Sequence, residues 1–332
     1  MTYRLTKAIL GPSIFLFLFV QCNKPKSSSD QKKPATSITP TPLPTNNPIS
    51  PPQNVVPLPT AISTQIKIGP SKYPIILQHG FMSGKIIGKF TGAKAHLENY
   101  GFKVYESDVN PSQSSVLRGQ QLAKNIDDIL RITGASKVNV IAYSQGGLDT
   151  RYAISTLKYG TKIASLTMLS TPNQGTPLAD VSLNNTSKTV QGHLATLLNL
   201  LSNLNGLSSG NDTYAAVSSL SESFVQKTFN PQNPDDPQVF YQSYAAQSGS
   251  NTKDSLNLSL KLSGALVSSM RGANDGVVPV TSAQWGDFKG VIDADHLDLI
   301  GYPGGTSPTA SGFSHLKLLT DIAVMLRDVK GF

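Results

Sequence analysis

Val138-Asn139-Val140-Ile141-Ala142-Tyr143-Ser144-Gln145-Gly146-Gly147 decides the reading of this chain. The apolar run over residues 138–142 has the length of a buried strand, and residues 146–159 read as a helix. A serine on the tight turn between them is forced into a strained backbone and exposed at the carboxyl edge of a sheet. The residues two places before and after it must be small, because the turn packs them together. Ala142 and Gly146 meet this demand. The following helix offers its N-terminal amides to developing negative charge. Ser144 is therefore the candidate nucleophile.

Working outward, residues 74–78 form an apolar run that ends at His79-Gly80 and reads as a buried strand. Residues 88–100 read as a helix closed by Gly101, and residues 102–107 as a strand. Ser114 or Ser115 caps a helix with an apolar face of Leu117, Leu122, Ile126, Ile129 and Leu130, which Gly134 stops. Residues 163–169 are a further strand. Strand and helix thus alternate over residues 73–170, which implies a mostly parallel sheet with helices on both faces. Residues 181–235 break the pattern. They hold an apolar helix-like stretch (Leu194, Leu197, Leu198, Leu201, Leu204) in the position of a lid or cap. Strand-like pieces resume near residues 239–244, 266–270 and 291–293, and an amphipathic helix runs through Leu316, Leu319, Ile322, Ala323 and Leu326.

A serine nucleophile needs an acid and a base, which follow it in the order Ser, Asp, His on this scaffold. His296, in Asp293-Ala294-Asp295-His296-Leu297-Asp298, is the candidate base; His315, at the start of the final helix, is its rival. Asp275, in the turn-rich Asn274-Asp275-Gly276, is the candidate acid, expected to follow a strand, with Asp287, Asp293 and Asp295 as rivals. The oxyanion requires two backbone N–H donors, assigned to Gln145 and Phe81, and Gly80 lets the second loop approach. His79 precedes the serine in the chain and reads as a brace for that loop.

The net charge of +8 is concentrated at the N-terminus, where Arg4, Lys7, Lys24, Lys26, Lys32 and Lys33 oppose Asp30. The remainder carries no Lys/Arg run, so nucleic-acid binding is not expected. Arg4 and Lys7 precede an apolar run over residues 8–20, too short to span a bilayer, as in a secretory signal covering residues 1–21. Cys22 is the one cysteine of the chain, which excludes an intramolecular disulfide and a cysteine-based zinc site. The run into Cys22 resembles a bacterial lipoprotein signal, although Gln21 stands where a small residue is usual. Residues 22–66 are rich in Pro, Ser and Thr and read as a disordered tether. The expectation is an exported protein held at a membrane through a lipid on Cys22, with its folded domain at residues 67–332.

Several ordered motifs closely resemble the bacterial family I triacylglycerol lipases of the Pseudomonas and Burkholderia type. They are Tyr73-Pro74-Ile75-Ile76-Leu77 before His79-Gly80, Arg118-Gly119-Gln120-Gln121-Leu122, the Ser144 turn with Arg151-Tyr152 after it, residues 171–177, Asn274-Asp275-Gly276 and His296-Leu297-Asp298. The resemblance implies an α/β-hydrolase fold, a Ser144–His296–Asp275 triad, hydrolysis of acylglycerols or other ester lipids, and no organic cofactor. It also implies a structural Ca²⁺ near the base, for which Asp298 and Asp254 match ligands, while Tyr302 stands where the family has a glutamine. Whether a lipase chaperone assists the chain is left open. The competing expectations are a short-chain carboxylesterase and a non-catalytic, surface-tethered binding module.

Overall fold

The computed structural model describes residues 67–81, 89–184, 212–249, 252–302 and 312–332. The signal, Cys22 and the tether, together with the apolar stretch at residues 194–204, lie outside the described residues.

Six strands form one sheet: β1 (Ile75–Gln78), β2 (Val104–Glu106), β3 (Val138–Tyr143), β4 (Ile163–Leu169), β5 (Phe240–Gln247) and β6 (Asp287–Asp293). Their order is β2-β1-β3-β4-β5-β6, and every neighbouring pair is parallel. Side chains alternate between the two faces of each strand. Ile75, Leu77, Ile141 and Tyr143 enter one apolar cluster, and Ile76, Val140 and Ala142 enter the other. Both faces are covered, so β3 and β4 are buried at every residue; such strands are mostly apolar, and their polar exceptions are paired, Ser165 Oγ with Asn139 Oδ1 and Gln242 Nε2 with Thr167 Oγ1, each at 2.7 Å.

The helices supply the covers. α1 (Ala93–Asn99) packs on the first face; α2 (Ser115–Thr133) and α3 (Gln145–Ser155) pack on the second. Further helices among the described residues include α4 (Pro177–Asn184), α5 (Thr213–Ser218), α6 (Lys261–Arg271) and α7 (Val280–Ala283). The final helix, α8 (His315–Asp328), returns to the first face beside α1. Among the described residues no helix is long and apolar enough to cross a membrane.

Several sequence expectations are corrected. The first helix begins at Ala93, after Gly92 in a left-handed conformation. α3 ends at Ser155, and residues 159–161 form a separate 3₁₀ turn. Ser114, not Ser115, caps α2, accepting from the Leu117 amide, and Leu117 is exposed. The piece at residues 266–270 is the end of helix α6, so Asp275 follows a helix. Its buried residues are Ser263, Gly264 and Val267. The helical spacing is present, but two of these residues are small and erase the apolar signal.

Candidate active site

The turn after β3 puts Ser144 at φ 54° and ψ −129°. That region is sparsely populated for a residue with a Cβ and stores on the order of 1–3 kcal/mol. The surroundings hold it there: the Ser144 amide donates to the Leu169 carbonyl at 2.9 Å, and the Gly147 amide donates to the Ser144 carbonyl at 3.1 Å. Two close approaches demand glycine. A Cβ on Gly146 would lie 2.7 Å from the Gln78 carbonyl oxygen, and one on Gly80 would lie 2.8 Å from the Ser144 Cβ. The loop after β1 therefore rests directly against the serine.

His296 follows β6 and meets Ser144 across the carboxyl edge of the sheet. Its Nε2 lies 3.1 Å from Ser144 Oγ, and its Nδ1 lies 2.7 Å from Asp275 Oδ2. The other Asp275 oxygen accepts from the Val277 and Val278 amides at 2.9 and 2.7 Å. The His296 amide donates to the Asp275 carbonyl at 2.8 Å, so ring and backbone of the histidine are tied to one residue. An acceptor at Nδ1 places the hydrogen there and leaves Nε2 free to take a proton from the serine.

The rival groups are occupied elsewhere. His315 lies on α8 with Nε2 2.8 Å from the Thr91 carbonyl oxygen, and its ring rests against Gly301. Asp295 accepts three backbone amides, from Asn257, Leu297 and Asp298. Asp293 receives an amide hydrogen bond from Gln247 at the end of the sheet, and Asp287 pairs with Lys289.

Gln145 opens α3, so its backbone N–H is among those without an intrahelical acceptor. Its side chain is held aside by bonds to the Gln113 carbonyl and Ser115 Oγ. The Phe81 ring packs into an apolar cluster with Leu148, Ala179, Val217 and Phe229, which anchors the loop carrying its amide. His79 is buried, with Nδ1 3.0 Å from the Gly80 carbonyl oxygen. Burial, aided by the charge of Arg118, lowers its pKa to about 3, so its ring is neutral.

One arrangement was not legible beforehand. Arg118, wholly buried on α2, donates from Nε to Asp149 on α3 at 2.8 Å, from Nη2 to the His79 carbonyl at 2.6 Å and from Nη1 to the Asn110 carbonyl at 2.6 Å. Gln78 Nε2 donates to the same Asp149 oxygen at 2.9 Å. Burial pushes the Asp149 carboxyl up to about 6, against the pull of Arg118 and Gln78. The guanidinium thus locks the loop beside Ser144 to the helix that follows Ser144. A signal was present: Arg118 lies on the stripe of Leu122, Ile126 and Ile129, a charge on an otherwise apolar face.

Asp254, Asp295 and Asp298 gather within 4.8 Å of one another, all buried. Among the described residues Asp254 Oδ2 has no hydrogen-bond partner. Burial, reinforced by Asp295 and Asp254, pushes Asp298 up to about 7. Three buried carboxylates, one of them with an orphaned oxygen, fit a hard divalent cation such as Ca²⁺. Asp295 thus joins the two carboxylates expected from the sequence. The Tyr302 ring packs against the apolar cluster of Leu260 and Leu297.

A family model for the alpha/beta hydrolase fold matches residues 73–301. The chain belongs to the alpha/beta hydrolase fold family. Among curated relatives of this hydrolase-fold chain, a Burkholderia plantarii triacylglycerol lipase is 35% identical over 117 residues, covering 33% of this chain and 32% of the relative. A Pseudomonas fragi triacylglycerol lipase is 38% identical over 113 residues, covering 33% and 38%. The aligned part is therefore about a third of each relative's length. Among solved structures, a metagenomic carboxyl esterase superposes with a TM-score of 0.63 at 16% identity, covering 81% of this chain and 80% of its own. Staphylococcus hyicus lipase does so with a TM-score of 0.56 at 16% identity, covering 81% and 98%. These two superpositions speak to the fold.

Proposed function

We propose that the protein is a serine carboxylic-ester hydrolase, and within that class a triacylglycerol lipase. The observation that carries the reading is the continuous hydrogen-bond chain from Ser144 Oγ through His296 to Asp275, beside a loop in contact with the serine. Ser144 Oγ attacks the ester carbonyl, and His296 Nε2 takes its proton. Asp275 holds the tautomer and stabilises the imidazolium. The Gln145 and Phe81 amides receive the oxyanion. The tetrahedral species collapses, His296 returns the proton to the departing alkoxide, and the acyl group stays on Ser144. Water, activated by the same histidine, then releases the acid. No organic cofactor enters these steps.

The acylglycerol substrate rests on the curated relatives, which are triacylglycerol lipases. A cation held by Asp254, Asp295 and Asp298 would supply charge neutralisation beside the His296 loop. The sequence supports an exported protein with a lipid on Cys22. Palmitate-analogue labelling that Cys22→Ser fails to abolish would remove that part of the reading.

The test of the function is fluorophosphonate labelling followed by a chain-length profile. Labelling of the wild type and none of Ser144→Ala is expected, with hydrolysis of long-chain triacylglycerol emulsions. Hydrolysis confined to short soluble esters would replace lipase by carboxylesterase. Absence of both labelling and hydrolysis would leave a binding module.

A further inference from the structure

Tyr143 is the last residue of β3, immediately before the strained serine. The pleat turns it to the face shared with Ile141, where its ring enters the cluster of Phe90 and Leu169. It is 4% exposed. A buried tyrosine needs a partner for its hydroxyl, and this one donates to the backbone carbonyl of His296 at 2.9 Å. Its ring lies 4.8 Å from the imidazole, tilted by 39°. On the other side its Cδ1 lies 3.1 Å from where a Gly80 Cβ would stand. Phe90 packs edge-on against it at 6.3 Å.

We infer that Tyr143 is a positioning residue for the base, its hydroxyl fixing the His296 peptide and its ring fixing the plane of the imidazole. This inference rests on the ester-hydrolase reading and deepens it. His296 sits in a loop beyond the sheet, so regular strand pairing does not fix its backbone. Asp275 holds its amide, and Tyr143 holds its carbonyl. With the peptide clamped at both ends, the ring is delivered to Ser144 and to Asp275 at once. The phenol remains a donor, because burial keeps its pKa well above the usual value. Tyr143 moves no proton of the reaction. It acts through His296, and its place in the strand joins the base to the serine across the 152 residues that separate them.

The loss of one such hydrogen bond is worth about 5- to 10-fold in a rate that depends on alignment. Tyr143→Phe keeps the ring and removes only the hydroxyl. The full-length protein and its variants are titrated to completion with a fluorophosphonate, so that kcat is expressed per reactive serine. Tyr143→Phe is expected to lower kcat by about 5- to 10-fold with KM unchanged within about twofold. The downfield Nδ1–H resonance of His296, observed in ¹⁵N-histidine-labelled protein, is expected to broaden through faster exchange. An unchanged kcat per labelled site with an unchanged resonance overturns the inference. So does a loss confined to the number of labelled sites, which marks a merely structural tyrosine. His296→Ala separates the two levels. If it retains activity, the triad fails and the Tyr143 role with it; if it is inactive while Tyr143→Phe matches wild type, only the Tyr143 role fails.

Discussion

The two sides of the site are held in different ways. Ser144 stands where a fully buried central strand runs into a helix buried at every residue but Tyr152, and its position follows from backbone geometry and from glycines at points of contact. His296 and Asp275 stand on loops beyond β6 and α6, and their positions follow from hydrogen bonds. These run from the Asp275 carboxylate to two amides, from the Asp295 carboxylate to three, and from Tyr143 to the His296 carbonyl. A nucleophile that must occupy strained backbone needs a rigid seat. A base that must meet two partners needs its ring aimed, and a polar network does that without a regular element.

The largest effects should make the two sides equal. Ser144→Ala and His296→Ala are each expected to lower ester hydrolysis by about 10⁴-fold, since nucleophile and base act as a unit. His315→Ala should stay near wild type. A steady-state assay that found His315→Ala inactive and His296→Ala active would move the base to the start of α8.

Next comes the serine side alone. Arg118→Met leaves the Asp149 carboxylate buried without its counter-charge and the His79 carbonyl without its donor. Breaking a buried pair in this way costs about 3–5 kcal/mol. Misplacement of the oxyanion loop adds a loss of up to about 100-fold in kcat. Urea titration and kcat read the two effects separately. A variant as stable as wild type would show that the guanidinium does not bear the loop.

Base-side stability should depend on a cation where serine-side stability does not. With calcium at 100 times Kd, a ligand bound only by the folded chain adds about 2.7 kcal/mol. In a domain of this size that amounts to a rise in Tm on the order of several degrees. Asp298→Asn should abolish the rise and Ser144→Ala should keep it. Equal melting of the wild type in calcium and in chelator would assign the three aspartates to loop bracing.

The last effect is one of pH. His79 titrates at about 3 when folded, against 6.5 for the ordinary group. The unfolded chain therefore binds the proton more readily. The stability contributed by the neutral ring is complete above about 6.5 and falls away as the pH drops toward 3. Melting curves of His79→Gln should show a shallower decline across that window than the wild type.

The same contrast explains what was legible in the sequence. A strand buried on both faces must be mostly apolar, so residues 138–142 and 163–169 are legible as strands despite Asn139, Ser165 and Thr167, and the turn at Ser144 follows from the junction of the first with its helix. Asp275 and His296 were found by chain order and neighbouring turn residues. Helix α6 was obscured because Ser263 and Gly264 occupy its inner face. Asp149 and Tyr143 were not singled out, because a residue that supports another across the fold leaves no local pattern. Asp295 stands among the rival acids in the sequence, since its three amide partners lie in a loop and a turn that no periodicity marks.

The first described residues have a consequence for orientation. The Lys72 amide donates to the carbonyl of the terminal Phe332, and Arg327 donates to the Lys67 and Gly69 carbonyls. The chain therefore enters the domain at the amino ends of the strands, beside its own last residue, while Ser144 and His296 lie at the carboxyl ends. The entry of the chain and the Ser144–His296 pair therefore occupy opposite edges of one sheet, and a disturbance at either edge reaches the other only along the buried strands between them.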